Sequence, residues 1–120
     1  MIDTPEIRIP VGSKHMNVNG HAFGGWIFSQ MDHAAGLTGE RLSKGLVTTV
    51  AVRELNFHQP ILSGERVSVY CRDTRLGKTS IQLDLEVISE NQSEREEKLA
   101  ASATFVIVAI DKEGRPRALP

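Results

Sequence analysis

One carboxylate in this chain stands where carboxylates are uncommon. Asp32 lies in the run from Gly24 to Leu42, whose apolar residues recur at helical spacing. Asp has poor propensity for a helix interior because its carboxylate competes for backbone hydrogen bonds. At roughly 100° per residue, Gly25, Ser29, Asp32 and Gly36 fall along one stripe. The carboxylate therefore stands in a shallow groove of small residues that a substrate or another chain could enter. Gly24 and Gly25 lie at the expected helix start, where unpaired N–H groups backed by the helix dipole can bind a polarised carbonyl oxygen. A carboxylate two turns below such a start is a workable thioester-cleaving site. The alternative is a solvated Asp32 on a wet helix face, and residue types alone favour that alternative.

Other chemistry is thinly represented. The chain has no Gly-x-Ser-x-Gly, His-Glu-x-x-His, Gly-x-x-x-x-Gly-Lys-Ser/Thr or Cys-x-x-Cys motif. His15, His21, His33 and His58 do not pair with a carboxylate or thiol at metal-ligand spacing, so no metal site is expected. The single cysteine, Cys71, excludes an intrachain disulfide and reads as a small hydrophobe in a strand. Trp26, His33 and His58 read as packing or interface residues.

The 120 residues suit one domain spanning 1–120, with 40 % apolar content. A net charge of −1, from 14 basic and 15 acidic residues, argues against a nucleic-acid partner held by a broad basic field. No run reaches the ~18 apolar residues of a membrane span, and residues 1–12 do not resemble a signal peptide. The expected location is the cytoplasm.

The elements that would position Asp32 follow from periodicity. Residues 5–10 alternate between two prolines and read as a short edge strand. Residues 12–25 form a Gly- and Asn-rich loop that allows close approach of a ligand. In the helix, Ile27, Met31, Ala34, Ala35, Thr38 and Leu42 make the buried stripe, and Gly39 and Gly45 mark its loosening and end. The period then changes to two over Val47–Phe57, Glu65–Arg75, Thr79–Ser89 and Lys98–Ile110. A lone helix followed by long antiparallel strands is an α+β arrangement, a sheet wrapped around a helix in the hotdog manner.

The run Asn17-Val-Asn-Gly-His-Ala-Phe-Gly-Gly-Trp-Ile-Phe-Ser-Gln-Met-Asp32 resembles the signature of bacterial YciA-type acyl-CoA thioesterases. The resemblance continues through Val47-Thr-Thr-Val50, Asn56-Phe57 with Pro60, Gly64, Gly77-Lys-Thr-Ser80, Phe105-Val106, Asp111, Gly114, Arg117 and Pro120. It implies the hotdog fold and hydrolysis of acyl-CoA to free acid and coenzyme A, without metal or redox cofactor. Asp32 matches the catalytic carboxylate, as general base or nucleophile. Gly24 and Gly25 match glycines whose backbone approaches the thioester oxygen. His21 falls where relatives place Asp or Asn, a departure that leaves its role between orienting water, donating to the thioester and capping a turn. Coenzyme A is expected along Val50, Ala51 and Val52 and along Thr79, Ser80 and Ile81. Lys78, with Arg72 and Arg75, is a candidate for the nucleotide phosphates, or else an ordinary solvated strand end. The resemblance also implies a homodimer at least, assembled as a trimer of dimers. A hotdog dehydratase or hydratase, which His21 would serve, and a non-catalytic acyl-CoA-binding module are the rival readings.

Overall fold

One helical run followed by four runs of alternating residues is the order the backbone adopts. The computed structural model of the chain describes residues 4–120. In order they form β1 (Ile7–Pro10), a single 3-10 turn (Ser13–His15), α1 (Gly24–Ser43), β2 (Val47–Phe57), β3 (Arg66–Leu76), β4 (Ser80–Glu90) and β5 (Glu97–Ala109). The strands make one antiparallel sheet in the order β1-β3-β4-β5-β2. The expected edge strand is β1, and the hotdog arrangement is present: α1 packs against β2, β3, β4 and β5 of the curved sheet.

The core is where the two periods meet. Ile27, Met31, Ala34, Ala35 and Thr38 of α1 are buried against Val67 and Val69 of β3, Ile81, Leu83, Leu85 and Val87 of β4, and Ala101, Phe105 and Ile107 of β5. Each fully buried large side chain of this set stabilises the fold by about 1.5–3 kcal/mol. Gly39 lets the helix lie close to the sheet, since a Cβ there would meet Ile107 Cγ2 at 3.3 Å and Val47 Cγ2 at 3.4 Å.

The last helical turn departs from expectation. Leu42 is 37 % exposed, and Ser43 is buried in its place. The left-handed residue that ends the helix is Lys44 (φ 57°), not Gly45. Gly45 is small for a different reason: a Cβ there would lie 2.5 Å from Arg117 Nη2. The Arg117 guanidinium donates to Ser43 O (3.0 Å), Ser43 Oγ (3.2 Å), Leu46 O (3.3 Å) and Ile110 O (2.9 Å). One side chain thus joins the helix end, the approach to β2 and the exit of β5.

Successive strands β2 and β3 are not neighbours, because β5 and β4 lie between them. Residues 58–65 must therefore cross the molecule, and they do so beside the start of α1, where Ala22 N–H donates to Ile61 O (2.8 Å) and His21 bridges to Leu62.

Arg117→Ala would leave several partly buried carbonyls without a donor. A loss of about 2 kcal/mol or more is expected, the scale of hydrogen bonds to a charged group. Urea unfolding of the two proteins would read it. An unchanged midpoint would show that the clip carries no weight.

Candidate active site

Strand β2 runs antiparallel to α1 and touches it at three levels. Phe57 sits over Gly24, with its Cζ 3.3 Å from where a Cβ would be. Thr49 Oγ1 donates to Asp32 Oδ1 (2.8 Å). Val47 packs at Gly39. Asp32 is thus exposed but not loose, since a hydroxyl on the adjacent strand holds one carboxylate oxygen and leaves the other to a ligand. A register shift between Thr49 and Ala51 marks a bulge, and Val50 projects there, 55 % exposed.

The rest of the helix stripe is open. A Cβ at Gly25 or Gly36 meets nothing within 4 Å, so this chain itself does not require glycine at either place. Ser29 turns its hydroxyl back to Trp26 O (2.8 Å), which smooths the stripe between them. At the helix start Phe23 is the N-cap and no side chain caps the N–H groups. They remain available to an acceptor from outside.

Asp32 and the helix start are not within reach of one reacting atom. Eight residues at 1.5 Å rise separate Gly24 from Asp32 by about 12 Å, whereas one carbonyl must lie about 3 Å from both its donors and its attacker. The two-turn spacing read from the sequence is thus too long for a site made by one chain. Asp32 and the helix start are two separate candidate half-sites.

The register fills in the first half. Thr49 and Ile81 pair with the same residue, Ile107, from opposite sides, which sets them two strand spacings, about 10 Å, apart. The Val50–Val52 segment and the turn bearing Lys78, Thr79 and Ser80 therefore lie in one band with Asp32. Ile81 departs from its expected role. Its side chain is fully buried and its backbone is paired with both β3 and β5, so it offers no surface to coenzyme A. Arg72 and Arg75 are engaged on the other face of the sheet. Arg72 pairs with Glu86 (2.9 Å) and lies over the Tyr70 ring, and Arg75 bridges Asp73 (2.7 Å) and Asp84 (3.0 Å). That hydrogen-bonded guanidinium holds the Asp84 carboxyl below the usual range.

The second half gathers His21, Gly24 and residues no local pattern announced. A pocket of about 270 Å³ beside the helix start is lined by Asn17, His21, Gly24, Phe57, His58 and Ile61, among others. Asn17 Oδ1 accepts from the N–H groups of Asn19 (2.9 Å) and His21 (3.1 Å), which fixes the loop that presents His21. Beneath it lies Glu65, 6 % exposed, accepting from Leu62 N–H (2.9 Å), Ser89 Oγ (2.8 Å) and Lys98 Nζ (3.3 Å). Burial pushes this carboxyl upward, but those donors together outweigh burial and leave it below its ordinary value of 4.5.

Among the described residues, no three His, Cys, Asp or Glu side chains converge to hold a metal ion. Burial pushes the Cys71 thiol up, away from nucleophilic chemistry. No helix among the described residues is long and apolar enough to cross a membrane.

The sequence pattern of the thioesterase superfamily matches residues 19–96, which include the helix start and Asp32. The chain belongs to this superfamily. It is similar to an acyl-CoA thioester hydrolase, YciA, of Escherichia coli (strain K12), 39 % identical over 109 residues, covering 87 % of this chain and 81 % of that one. An uncharacterized acyl-CoA thioester hydrolase of Zymomonas mobilis is 36 % identical over 116 residues, 97 % of this chain and 78 % of that one. The solved hexameric thioesterase of Yersinia pestis superposes with a TM-score of 0.93 at 33 % identity, covering 100 % of this chain and 98 % of its own. Within the superfamily the chain is thus YciA-like, and it has the superfamily's helix-in-sheet form.

Glu65 makes a pH-dependent contribution to this site's support. Its pKa is lower folded than unfolded, so the stabilisation is complete above 4.5 and is lost as pH falls through the folded value. Glu65→Gln is expected to cost about 2 kcal/mol at neutral pH, with the gap to the native protein closing below pH 4.5. Denaturant midpoints across that window measure it, and a pH-independent gap would exclude the Glu65 carboxylate as the cause.

Proposed function

We propose that the chain is an acyl-CoA thioester hydrolase whose complete site forms between two subunits, with Asp32 from one and the helix start of the other. The observation that carries this is the separation of the half-sites, about 12 Å along one helix. A two-fold axis beside Ser29, with the two helices antiparallel, sets positions 24 and 25 of one chain opposite position 32 of the other. The small open residues Gly25 and Gly36 allow that approach, and the free side of edge strand β2 is where a partner's strand would join.

In that arrangement the thioester oxygen accepts from the N–H groups of Gly24 and Gly25, which draws electron density from the carbonyl carbon. Asp32 of the other subunit attacks this carbon directly or takes a proton from the water that does. The C–S bond breaks and coenzyme A leaves as thiol; the acid is formed at once where water attacked, or where Asp32 attacked, after water hydrolyses the acyl–Asp32 anhydride and restores the carboxylate. His21, at the helix-start half, orients water or donates to the oxygen. The coenzyme A arm lies along the projecting Val50 and its neighbours Ala51 and Val52, with Thr79 and Ser80 beside it and Lys78 meeting a phosphate. The single domain spans 1–120, and its dimers assemble further into a trimer of dimers, in keeping with the hexameric Yersinia pestis relative. A cytoplasmic location suits the unpaired, half-buried Cys71. Release of free thiol separates hydrolysis from hydration of an enoyl thioester and from binding alone.

Asp32→Asn is expected to keep the fold and to lower kcat by about 100-fold or more. Thr49→Val, which removes only the hydrogen bond to the carboxylate, is expected to cost about tenfold, near 1.4 kcal/mol. Turnover of Asp32→Asn near the native rate would end the assignment.

A second measurement tests the shared site. Gly25→Val fills open space over the helix start, and Asp32→Asn removes the carboxylate. Each alone should be inactive, but co-expressed chains forming random dimers should recover about a quarter of native activity, because half the dimers carry one intact site of two. Recovery no greater than the sum of the separate variants would place each site within one chain.

A further inference from the structure

The pocket at the helix start has features the reaction alone does not account for. Its floor is apolar and closed: Ala22, Ile27 and Ile61 are 7 %, 4 % and 0 % exposed. Its rim is imidazole and amide, from His21, His58, Asn17 and Gln59, and no carboxylate lines it. Phe57 forms the wall next to Gly24 and is half-exposed. Its backbone is held, since Phe57 pairs with Ala101, while the next residue, His58, donates its N–H to Ala100 O (2.7 Å) and its ring meets Ser102 Oγ at 2.8 Å. The aromatic ring is therefore fixed at its base while its edge lies over the helix start.

We propose that this pocket receives the acyl group and that Phe57 sets the chain length it accepts. The inference rests on the helix start polarising the thioester oxygen. The carbonyl carbon then has two remaining substituents, which must diverge. The sulfur arm is polar and long, and leads toward the half-site bearing Asp32 and Lys78. The acyl arm begins beside Gly24, within contact of the Phe57 ring, and the apolar floor beyond it suits hydrocarbon. This chain's share of the pocket is about 270 Å³, and the Phe57 ring stands at its wall, where it limits how far an acyl chain can extend.

The test is kcat/KM for butyryl-, hexanoyl- and octanoyl-CoA with the native protein, Phe57→Ala, Phe57→Leu and Phe57→Tyr. The octanoyl-to-butyryl ratio is expected to rise by about tenfold or more in Phe57→Ala, the scale on which a few methylenes are discriminated by an apolar pocket. It should rise less in Phe57→Leu and fall in Phe57→Tyr. Loss of a merely structural ring would lower all three substrates alike and leave the ratio unmoved. A ratio within twofold of native in every soluble variant overturns the inference, and Phe57→Leu and Phe57→Tyr keep it decidable if Phe57→Ala does not fold. The same assay on Asp32→Asn separates the failures: an inactive Asp32→Asn with an unmoved ratio sinks only the role of Phe57, whereas an active one sinks the proposed reaction as well.

Discussion

The rise of an α-helix, 1.5 Å per residue, governs this molecule. Because Gly24 and Asp32 are fixed on one rigid rod, no side-chain rotation and no loop movement can bring the carboxylate to the helix start. The chain can either abandon one of the two groups or borrow one from a second copy. Its surface is consistent with borrowing. The stripe that carries Asp32 is lined by glycines that its own fold does not need, and a helix start with no side-chain cap is left without an internal partner. An uncapped start forgoes about 1 kcal/mol that a Ser or Asp would supply, and that omission keeps the N–H groups open to a ligand.

Strand β2 reconciles demands that conflict elsewhere. As an edge strand it must leave one row of backbone groups free. As the flank of α1 it must also hold the helix at Gly24, Asp32 and Gly39. A regular strand advances about 3.3 Å per residue and outruns the helix beside it. The two register shifts, between Thr49 and Ala51 and between Arg53 and Asn56, with Glu54 at φ 52°, take up length. They remove part of the mismatch between Thr49 and Phe57, which contact α1 at Asp32 and Gly24.

Periodicity made the elements legible: β2 spans the predicted residues, the helix and β3 to β5 differ by one residue at their ends, and β1 begins two residues later than expected. Asp32 was legible as an anomaly of propensity, and the role proposed for it comes only through resemblance. What remained hidden was non-local. Nothing near Gly45 in sequence foretells Arg117, which arrives from the tail to take the space a side chain would need. Leu42 fits the helical stripe, yet it is exposed while its neighbour Ser43 is buried. Phe57 and Glu65 look like ordinary strand-end residues until the fold sets Phe57 against Gly24 and brings Ser89 and Lys98 to Glu65. The separation of the half-sites could have been derived from helix geometry alone, since both positions were already assigned to one helix.

Charge placement on the sheet bears on where the proposed site would meet the phosphates of coenzyme A. Arg72 and Arg75 have the right chemistry for phosphates, yet each already faces a carboxylate, Glu86 in one case and Asp73 with Asp84 in the other. Exposed pairs of this kind add little stability, about 0–1 kcal/mol, but a phosphate seeking Arg75 would have to displace Asp73 and Asp84, of which Asp84 also accepts from Thr104 (2.8 Å). A neutralised ladder on that face gives an anion no net attraction. Lys78 stands instead on the turn beside the band that holds Asp32, where the tail's Leu119 N–H ties its carbonyl (2.9 Å). A flexible ammonium on an anchored turn can follow a phosphate without breaking an existing pair. In the proposed site, the sheet's pairing of its own arginines thus leaves the phosphate contact to Lys78, on the side where Asp32 stands.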